Sequence, residues 1–387
     1  MRWVTVWGNA TSVSERRPES YARNITLRYP VTCAFGGEKV RLHFSNFCGT
    51  EAVTLSQVTI APARTDREIS LHNARLVTFG GEESVTIPAG QEIFSDEIAF
   101  RVKPKGVVSV SIYLEEFTLM RSGVVITGPL SKGFFSVGNQ ALASVLPLEQ
   151  TRTTNTFYFL TGVDVYTEDK NRAVILYGDS ITAQSWADYL ALECMDDPYN
   201  VTAVIRRAAS GTRVLREYHC ITYESYGLSG KNRFEREIST VSGADTVIIQ
   251  QGINDIIHPV GTEVNPFRPM SDLPSVEELE EGLEYYSDIA RKYGLKTYFG
   301  TLLPIYGWRT YAPFREDMKD KINDWLRSRG DIDGCIDFDE ALRSDENVYA
   351  FRDGYDSGDH LHPSEAAYKK MAQVAYDYIC KEQSEEE

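Results

Sequence analysis

The chain has few cysteines, no long apolar run and no excess of basic residues. Its six cysteines among 387 residues are scattered without Cys-x-x-Cys spacing. A chain of this size needs no disulfide staples, so reduced thiols and a cytoplasmic location are expected. No stretch approaches about twenty apolar residues, and residues 1–10 lack the apolar run and cleavage site of a secretory signal. Neither a membrane span nor a signal peptide is therefore expected.

The net charge of the chain indicates which kinds of binding partner are unfavourable. The 40 basic residues against 56 acidic residues leave a formal charge of −16, which argues against nucleic acid or an anionic membrane as the partner. Part of that charge belongs to the acidic tail at 385–387, which is expected to be disordered and without a role. The composition gives no indication of the oligomeric state, and the length favours two or three domains.

The first half of the chain shows the two-residue periodicity of β-strands. Residues 40–45 and 108–113 alternate apolar and polar side chains, and glycine-rich turn signals separate such runs. Many short alternating strands with regular turns indicate a β-sandwich or jelly roll. We assign this domain to residues 1–168.

From about residue 169 the pattern changes to buried apolar strands that alternate with helices, which predicts an α/β domain over 169–387. The boundary falls in the polar stretch 165–171. Strand–helix alternation indicates a three-layer parallel sheet with helices on both faces, where ligands bind at the carboxyl ends of the strands. The predicted strands are 173–177, 201–205, 246–250, 297–300 and 335–338; the predicted helices lie near 182–194, 275–293, 311–329 and 364–381.

The segment 174–185 reads Val-Ile-Leu-Tyr-Gly-Asp-Ser-Ile-Thr-Ala-Gln-Ser and places Ser180 between the first of these strands and the first helix. A helix start offers unpaired N–H groups and favours negative charge developing nearby, which suits a nucleophilic serine. The alternative is a structural one, because an Asp-Ser pair is also a good helix cap.

Three further segments follow later strands or open the last helix. Gly211 follows the second strand, where its N–H can approach a substrate, or it is an ordinary turn glycine. Asn254 follows the third strand, where its amide can stabilise an oxyanion or cap a turn. Asp359 and His362 have the Asp-x-x-His spacing that lets a carboxylate hold an imidazole. His362 could instead cap the helix.

The acidic residues and histidines in and beside these segments could also bind a metal ion or brace loops. Asp359, His360 and His362 can meet one metal ion only if extended, and no second cluster completes a four-ligand set, so no metal site is expected. Asp179 and Asp255 adjoin the motifs in positions that suit capping or bracing of loops.

Together these segments resemble the SGNH hydrolases, also called the GDSL esterase/lipase family, whose four named residues match Ser180, Gly211, Asn254 and His362. The first block here reads Gly-Asp-Ser-Ile, and the second lacks the Asn-x-Gly run often found there. The resemblance implies a flavodoxin-like layer. It also extends to the two-domain branch that carries an N-terminal β-sandwich and is similar to carbohydrate acetyl esterases. The N-terminal stretches that carry this resemblance are 3–7, 26–28, 40–46 and 84–90.

The resemblance implies acyl transfer to water without a metal or organic cofactor. Ser180 would be the nucleophile, His362 its base and Asp359 the residue that orients His362. The N–H groups of Ser180 and Gly211 and the side chain of Asn254 would form the oxyanion hole. The expected substrate is a small-molecule or oligosaccharide ester with a short, acetyl-like acyl group.

Specificity residues are expected on loops after neighbouring strand ends. Ile257, His258, Tyr306 and Trp308 are candidates for the pocket wall, with the aromatic rings able to stack on a sugar face. They could equally pack against the β-sandwich. The alternatives for the whole chain are a lipase or lysophospholipase, an acyltransferase, and a carbohydrate-binding protein with an inactive hydrolase domain.

Overall fold

The computed structural model describes residues 1–14 and 20–381, so the acidic tail lies outside the described residues. The first half consists of strands with two short 3-10 helices. Its strands are β1 (Arg2–Gly8), β2 (Ser12–Val13), β3 (Tyr21–Ala22), β4 (Ile25–Thr32), β5 (Gly37–Ser45), β6 (Val53–Leu55), β7 (Gln57–Pro62), β8 (Arg75–Leu76), β9 (Val85–Ile87), β10 (Glu92–Phe94), β11 (Ile98–Val102), β12 (Val107–Leu114), β13 (Thr118–Leu119), β14 (Ser122–Val125), β15 (Gly133–Val137), β16 (Thr151–Thr154), β17 (Thr156–Tyr158) and β18 (Leu160–Thr167).

These strands form antiparallel sheets. A five-stranded sheet has the order β1-β18-β5-β10 with β11 also paired to β5, and a six-stranded sheet has the order β16-β15-β4-β12-β7-β8. The side chains alternate as the sequence predicts: in β11, Ile98, Phe100 and Val102 are buried while the residues between them are exposed. The β-rich first half is confirmed, whereas a jelly-roll topology stays a prediction.

The second half is a parallel sheet flanked by helices, which confirms the predicted α/β class. The first helix begins four residues later than expected, because residues 179–185 form turns ahead of it, and α2, α3 and α6 were not anticipated. The strands are β19 (Arg172–Gly178), β20 (Thr202–Ala208), β21 (Ala244–Gln250), β22 (Lys296–Gly300) and β23 (Gly334–Ile336). The helices are α1 (Trp186–Asp196), α2 (Gly230–Ser239), α3 (Ile253–Ile257), α4 (Val276–Lys292), α5 (Pro313–Ser328), α6 (Phe338–Leu342) and α7 (Glu365–Lys381).

The strand order of this sheet is β20-β19-β21-β22-β23. Helices α1 and α7 pack together, and α2, α4 and α5 form a second packed group. The chain therefore reverses direction across the sheet between β19 and β21, as in flavodoxin-like folds. At such a reversal the loops that follow the two strands run to opposite faces of the sheet, and in α/β folds ligands bind at this point. Ser180 lies directly after β19, and Asn254 lies in the first turn of α3, which follows β21.

None of the helices in the described residues combines the length and the apolar character that crossing a bilayer requires.

A buried polar network joins the first half to the second. The backbone N–H of Thr5 donates to the Ser242 carbonyl at 2.9 Å, and the Ser242 hydroxyl donates to Asp164 at 2.8 Å. Asp164 also accepts from the Thr5 hydroxyl at 2.7 Å and from Arg41 at 2.8 Å. β18 ends at Thr167 and β19 begins at Arg172. The division at residues 168 and 169 into two domains stays a prediction.

Asp164→Asn is expected to destabilise the protein. Burial acts to raise the pKa of Asp164, but His43, Thr5 and Arg41 outweigh it and hold the pKa at about 2. A carboxylate with a lowered pKa stabilises the fold above its unfolded value, and this contribution is lost as the pH falls from about 4 to about 2. The shift corresponds to about 2 kcal/mol, so the variant should lose at least about that much at pH 7 in urea unfolding.

The matched control for this prediction is Asp66→Asn, since Asp66 is exposed in its pair with Lys132. The control should unfold as the wild type does. Wild-type stability for Asp164→Asn at pH 7 would contradict the structural role of the network.

Candidate active site

Ser180 lies in a tight turn directly after β19. Gly178 is required at the end of the strand because a Cβ there would lie 2.5 Å from the Gln250 carbonyl oxygen of the neighbouring strand. The Asp179 carboxylate accepts the N–H of Ile181 at 3.0 Å, and its carbonyl accepts the N–H of Ala183 at 2.8 Å. Ser180 thus sits on a hydrogen-bonded turn, not at the N-terminus of α1, which begins at Trp186.

The structure brings Ser180, His362 and Asp359 into one chain of hydrogen-bonding distances. Ser180 Oγ lies 2.9 Å from His362 Nε2, and His362 Nδ1 lies 2.6 Å from Asp359 Oδ2. The other carboxylate oxygen of Asp359 accepts the backbone N–H groups of Leu361 at 3.0 Å and His362 at 2.8 Å. The turn that precedes α7 therefore fixes the carboxylate before the imidazole meets it.

Asp359 is held in its ionised form. Partial burial acts to raise its pKa, but the hydrogen bonds from the backbone and the ring of His362 outweigh burial and lower the pKa. An ionised carboxylate at Nδ1 favours the tautomer with the proton on that nitrogen, which leaves Nε2 as the acceptor that faces the Ser180 hydroxyl. Nε2 of His362 is therefore placed to accept the hydroxyl proton of Ser180.

Each of the two histidines in this turn pairs with a different carboxylate. His360 Nδ1 lies 2.5 Å from Asp356, whereas His362 pairs with Asp359. The three side chains that a metal site would need therefore do not converge. Within the described residues, no group of three or more His, Cys, Asp or Glu side chains could hold a metal ion.

Gly211 lies on the loop after β20 and Asn254 at the start of α3 after β21, so the two flank the turn that carries Ser180. The Asn254 side chain is buried in the first turn of α3, and its Nδ2 donates to the Thr212 carbonyl at 3.0 Å. An amide nitrogen has two N–H bonds, so one remains for a ligand. The backbone N–H groups of Ser180 and Gly211 have no acceptor among the residues that the structure describes. Three donors are therefore available along this rim.

Asp255 braces the loop after β20. Its carboxylate accepts the N–H groups of Val214 at 2.7 Å and Leu215 at 3.1 Å, and burial raises its pKa to about 6. Burial likewise raises the pKa of Asp179 to about 7, with Asp255 contributing. Both carboxylates lie in the hydrophobic interior, where they contact backbone N–H groups of the rim loops.

The four candidates for the pocket wall occupy different environments. Tyr306 is 50% exposed, and Trp308 is half-buried against the core. Ile257 is 1% exposed and packs in the hydrophobic core, so it presents no surface to a ligand in this structure. His258 is buried, and burial together with nearby Arg268 lowers its pKa well below the usual value, which keeps the imidazole neutral.

The sequence interpretation missed a tyrosine that covers Gly211. A Cβ on Gly211 would lie 2.3 Å from the Tyr226 ring, and this ring stacks on His258 at 5.3 Å between centroids. The segment that carries Tyr226 is held by the first half of the chain through an ion pair between Arg121 and Glu224. The tyrosines at 218, 223 and 226 were the available signal, but their spacing marks no regular element.

Gly211→Ala is expected to lower the free energy of unfolding by about 1–3 kcal/mol more than Gly354→Ala. Both glycines have similar backbone angles, with φ of +78° and +77°, so both substitutions carry the same conformational strain. Only the methyl group at position 211 meets a ring, since nothing lies within 4 Å of a Cβ at position 354. Urea unfolding of both variants measures the difference.

Adding Tyr226→Ala should relieve part of the Gly211→Ala cost, which a double-mutant cycle would report as a coupling energy. Equal costs for the two glycine variants would show that the ring moves aside freely.

Comparison with known proteins identifies the family. The family model described as GDSL-like lipase/acylhydrolase matches residues 174–375. None of the curated proteins compared with the chain is significantly similar to it in sequence. Among solved structures, the chain is similar to a GDSL-like lipase from Bacteroides thetaiotaomicron, with 17% identity, a TM-score of 0.39 and coverage of 56% of this chain and 91% of that chain.

It is also similar to an acetylxylan esterase from Geobacillus stearothermophilus, with 17% identity, a TM-score of 0.41 and coverage of 55% of this chain and 96% of that chain. At these identities and TM-scores the structural similarities carry no argument about the substrate. The family model, by contrast, spans more than half of the chain. The chain belongs to the GDSL-like lipase/acylhydrolase family, and it is a carboxylic ester hydrolase.

Proposed function

We propose that the chain is a serine esterase that removes short acyl groups, acetyl foremost, from oligosaccharides through an acyl-enzyme on Ser180. The observation that carries this proposal is the continuous series of short distances from Asp359 through His362 to Ser180. A serine hydroxyl, an imidazole and a carboxylate within hydrogen-bonding distance in this order form a catalytic triad with a serine nucleophile.

In the first step Ser180 Oγ attacks the ester carbonyl carbon while His362 Nε2 accepts the hydroxyl proton. The tetrahedral intermediate collapses by breaking the bond to the alcohol oxygen, and His362 passes its proton to that oxygen. Asp359 stays ionised and stabilises the imidazolium. In the second step water attacks the acyl-enzyme by the same route and releases the acid.

The negative charge on the carbonyl oxygen needs donors that are already in place. The N–H groups of Ser180 and Gly211 have no other acceptor in the described residues, and the Asn254 amide retains one N–H after its bond to Thr212. We assign these three groups to the oxyanion hole. Donors fixed in advance stabilise the transition state without reorganisation at the moment of reaction.

Two features of the rim support a short acyl group on a sugar. Tyr226 covers Gly211 closely, which leaves a polar aromatic wall beside the oxyanion donors. The half-exposed ring of Tyr306 and the partly buried ring of Trp308 lie on the loop after β22 and offer faces on which a sugar can stack. We place this activity in the cytoplasm, after uptake of the oligosaccharide, in keeping with the sequence expectation.

Ser180→Ala and His362→Ala are each expected to lower kcat for 4-nitrophenyl acetate by at least about 10⁴-fold, because either change removes the activated nucleophile. Asn254→Ala should cost about 10²- to 10³-fold through the loss of one oxyanion donor. The matched control is Ser185→Ala, since Ser185 precedes α1 and its side chain makes no capping bond. Substantial turnover by purified, folded Ser180→Ala would eliminate the serine mechanism.

Acetyl esters are expected to react faster than octanoyl esters of 4-nitrophenol, by about tenfold or more in kcat/KM, because the Tyr226 ring lies close over Gly211 and limits the space beside the oxyanion donors. Acetate release from acetylated xylo- and manno-oligosaccharides tests the alcohol portion. Faster hydrolysis of the octanoyl ester would favour a lipase, and ester products in the presence of added alcohols would favour an acyltransferase.

A further inference from the structure

We propose that Arg268, caged by Tyr218, Tyr223 and Tyr226, binds a carboxylate group of the substrate. This inference rests on the proposed function and names the chemical class of the ester on which the site acts. The carboxylate belongs either to the alcohol portion, as in an acetylated uronic acid residue, or to the acyl portion, as in a half-ester of a dicarboxylic acid.

The buried guanidinium of Arg268 has fewer hydrogen-bond acceptors than it has N–H donors. Its residue is only 7% exposed, and its side chain makes one hydrogen bond in the described residues, from Nη2 to the Tyr226 hydroxyl at 3.3 Å. The Nε atom is buried and has no acceptor. No carboxylate of the described residues lies within ion-pair distance of this guanidinium. A desolvated cation without an anion is costly, so the site favours a ligand that supplies one.

Arg268 differs in this respect from the other buried arginines that the structure describes. Each of the others donates to a carboxylate or to a backbone carbonyl oxygen. The neighbouring Arg213, for example, pairs with Asp272 at 3.0 Å. Arg268 donates to neither kind of oxygen, although it is buried to the same degree. In the described part of the chain its side chain therefore has a hydroxyl acceptor but no carboxylate or carbonyl acceptor.

The tyrosines hold the guanidinium in place without neutralising it. The Arg268 Cζ atom lies 4.3 Å from the centroid of the Tyr223 ring, 5.8 Å from that of Tyr226 and 5.9 Å from that of Tyr218. Aromatic faces attract a cation but accept no in-plane hydrogen bond from it. The Tyr218 hydroxyl is also buried without a partner. The cage therefore offers a ligand two polar groups: the planar guanidinium of Arg268 and the Tyr218 hydroxyl.

The cage is continuous with the active-site rim. The Tyr226 ring that covers Gly211 carries at its far end the hydroxyl that meets Arg268. The same ring stacks on His258, whose N–H donates to the Asn254 carbonyl at 3.1 Å. His258 Nδ1 is buried without a partner, and the ring is neutral. The guanidinium thus lies across one tyrosine ring from Gly211, whose N–H is one of the proposed oxyanion donors.

Local charge supports an anionic ligand in a chain that is acidic overall. The formal charge of −16 would repel an anion from most of the surface. Around His258, however, the charges of Arg268, Arg213 and Arg309 act together. Arg213 is neutralised by Asp272, whereas Arg268 and the exposed Arg309 form no ion pair with any residue that the structure describes.

The experiment compares charged and neutral esters on the full-length enzyme. One pair is mono-(4-nitrophenyl) succinate with 4-nitrophenyl butyrate, and the other is the acetylated methyl glycoside of glucuronic acid, its carboxylate free, with acetylated methyl glucoside. For the pair that matches the true substrate, wild-type kcat/KM should favour the charged ester. Arg268→Gln should lower that ratio about tenfold to a hundredfold, since hydrogen bonds to a charged group carry such factors. The pair that responds identifies whether the acyl or the alcohol portion bears the carboxylate.

Two control variants and two measurements on the wild type complement the Arg268→Gln experiment. Arg64→Gln removes an exposed arginine of the first half and should leave both ratios unchanged. Arg268→Lys keeps the charge and should recover part of the ratio. If Arg268→Gln fails to fold, the preference for the charged ester should still weaken in the wild type as salt is raised, and succinate should inhibit competitively where succinamide does not.

A wild-type enzyme that favours neither charged ester would overturn the carboxylate site. So would an Arg268→Gln variant that slows charged and neutral esters equally, since that outcome indicates a structural cage. Neither result touches the esterase proposal, which fails separately if Ser180→Ala retains turnover of neutral esters.

Discussion

The short contact between Ser180 and His362 joins two turns that lie 182 residues apart in the chain. It forms because β19 lies inside the parallel sheet, between β20 and β21, and because α7 packs against α1. The other features of the site follow from this arrangement. Asp359 is set by backbone N–H groups of its own turn, so the imidazole arrives at the serine already oriented.

The first half of the chain contributes to the site through the segment that carries Tyr226. Arg121 pairs with Glu224 of that segment, and the buried network around Asp164 ties the antiparallel sheets to Ser242 of the catalytic layer. These links give the antiparallel half a physical role: it supports the wall that stands over Gly211. The contacts are polar and at least partly buried, so each depends on the presence of its partner.

Among the buried arginines of the described residues, Arg268 alone lacks a carboxylate or carbonyl acceptor for its side chain. Arginines of the catalytic layer meet carboxylates or carbonyl oxygens in the interior, as expected for desolvated cations. Arg268 meets tyrosine faces instead, at the edge of the rim. The proposed carboxylate site and the proposed esterase mechanism therefore share Tyr226, whose ring touches the glycine at one end and the guanidinium at the other.

The sequence by itself determined the class of each half and the family. Alternating strands before residue 168 and apolar strands separated by helices after it are local patterns, and both are present in the structure. Ser180 and Asn254 could be selected because strand ends in a parallel sheet share one edge, and His362 because of its spacing from Asp359. The start of α1 was misplaced, because residues 181–185 suit a helix and only the turn at Asp179 excludes them.

Only the tertiary structure decided which side chains meet at that edge. Helix α2 has few apolar residues and buries Arg233 and Glu237 as a pair, so its sequence shows no clear apolar face. Tyr226 and Arg268 come from irregular segments 42 residues apart, and their contact depends on how two loops fold over Gly211. Such loops follow no periodicity, so their contacts are fixed by packing against the rest of the fold and cannot be read from spacing.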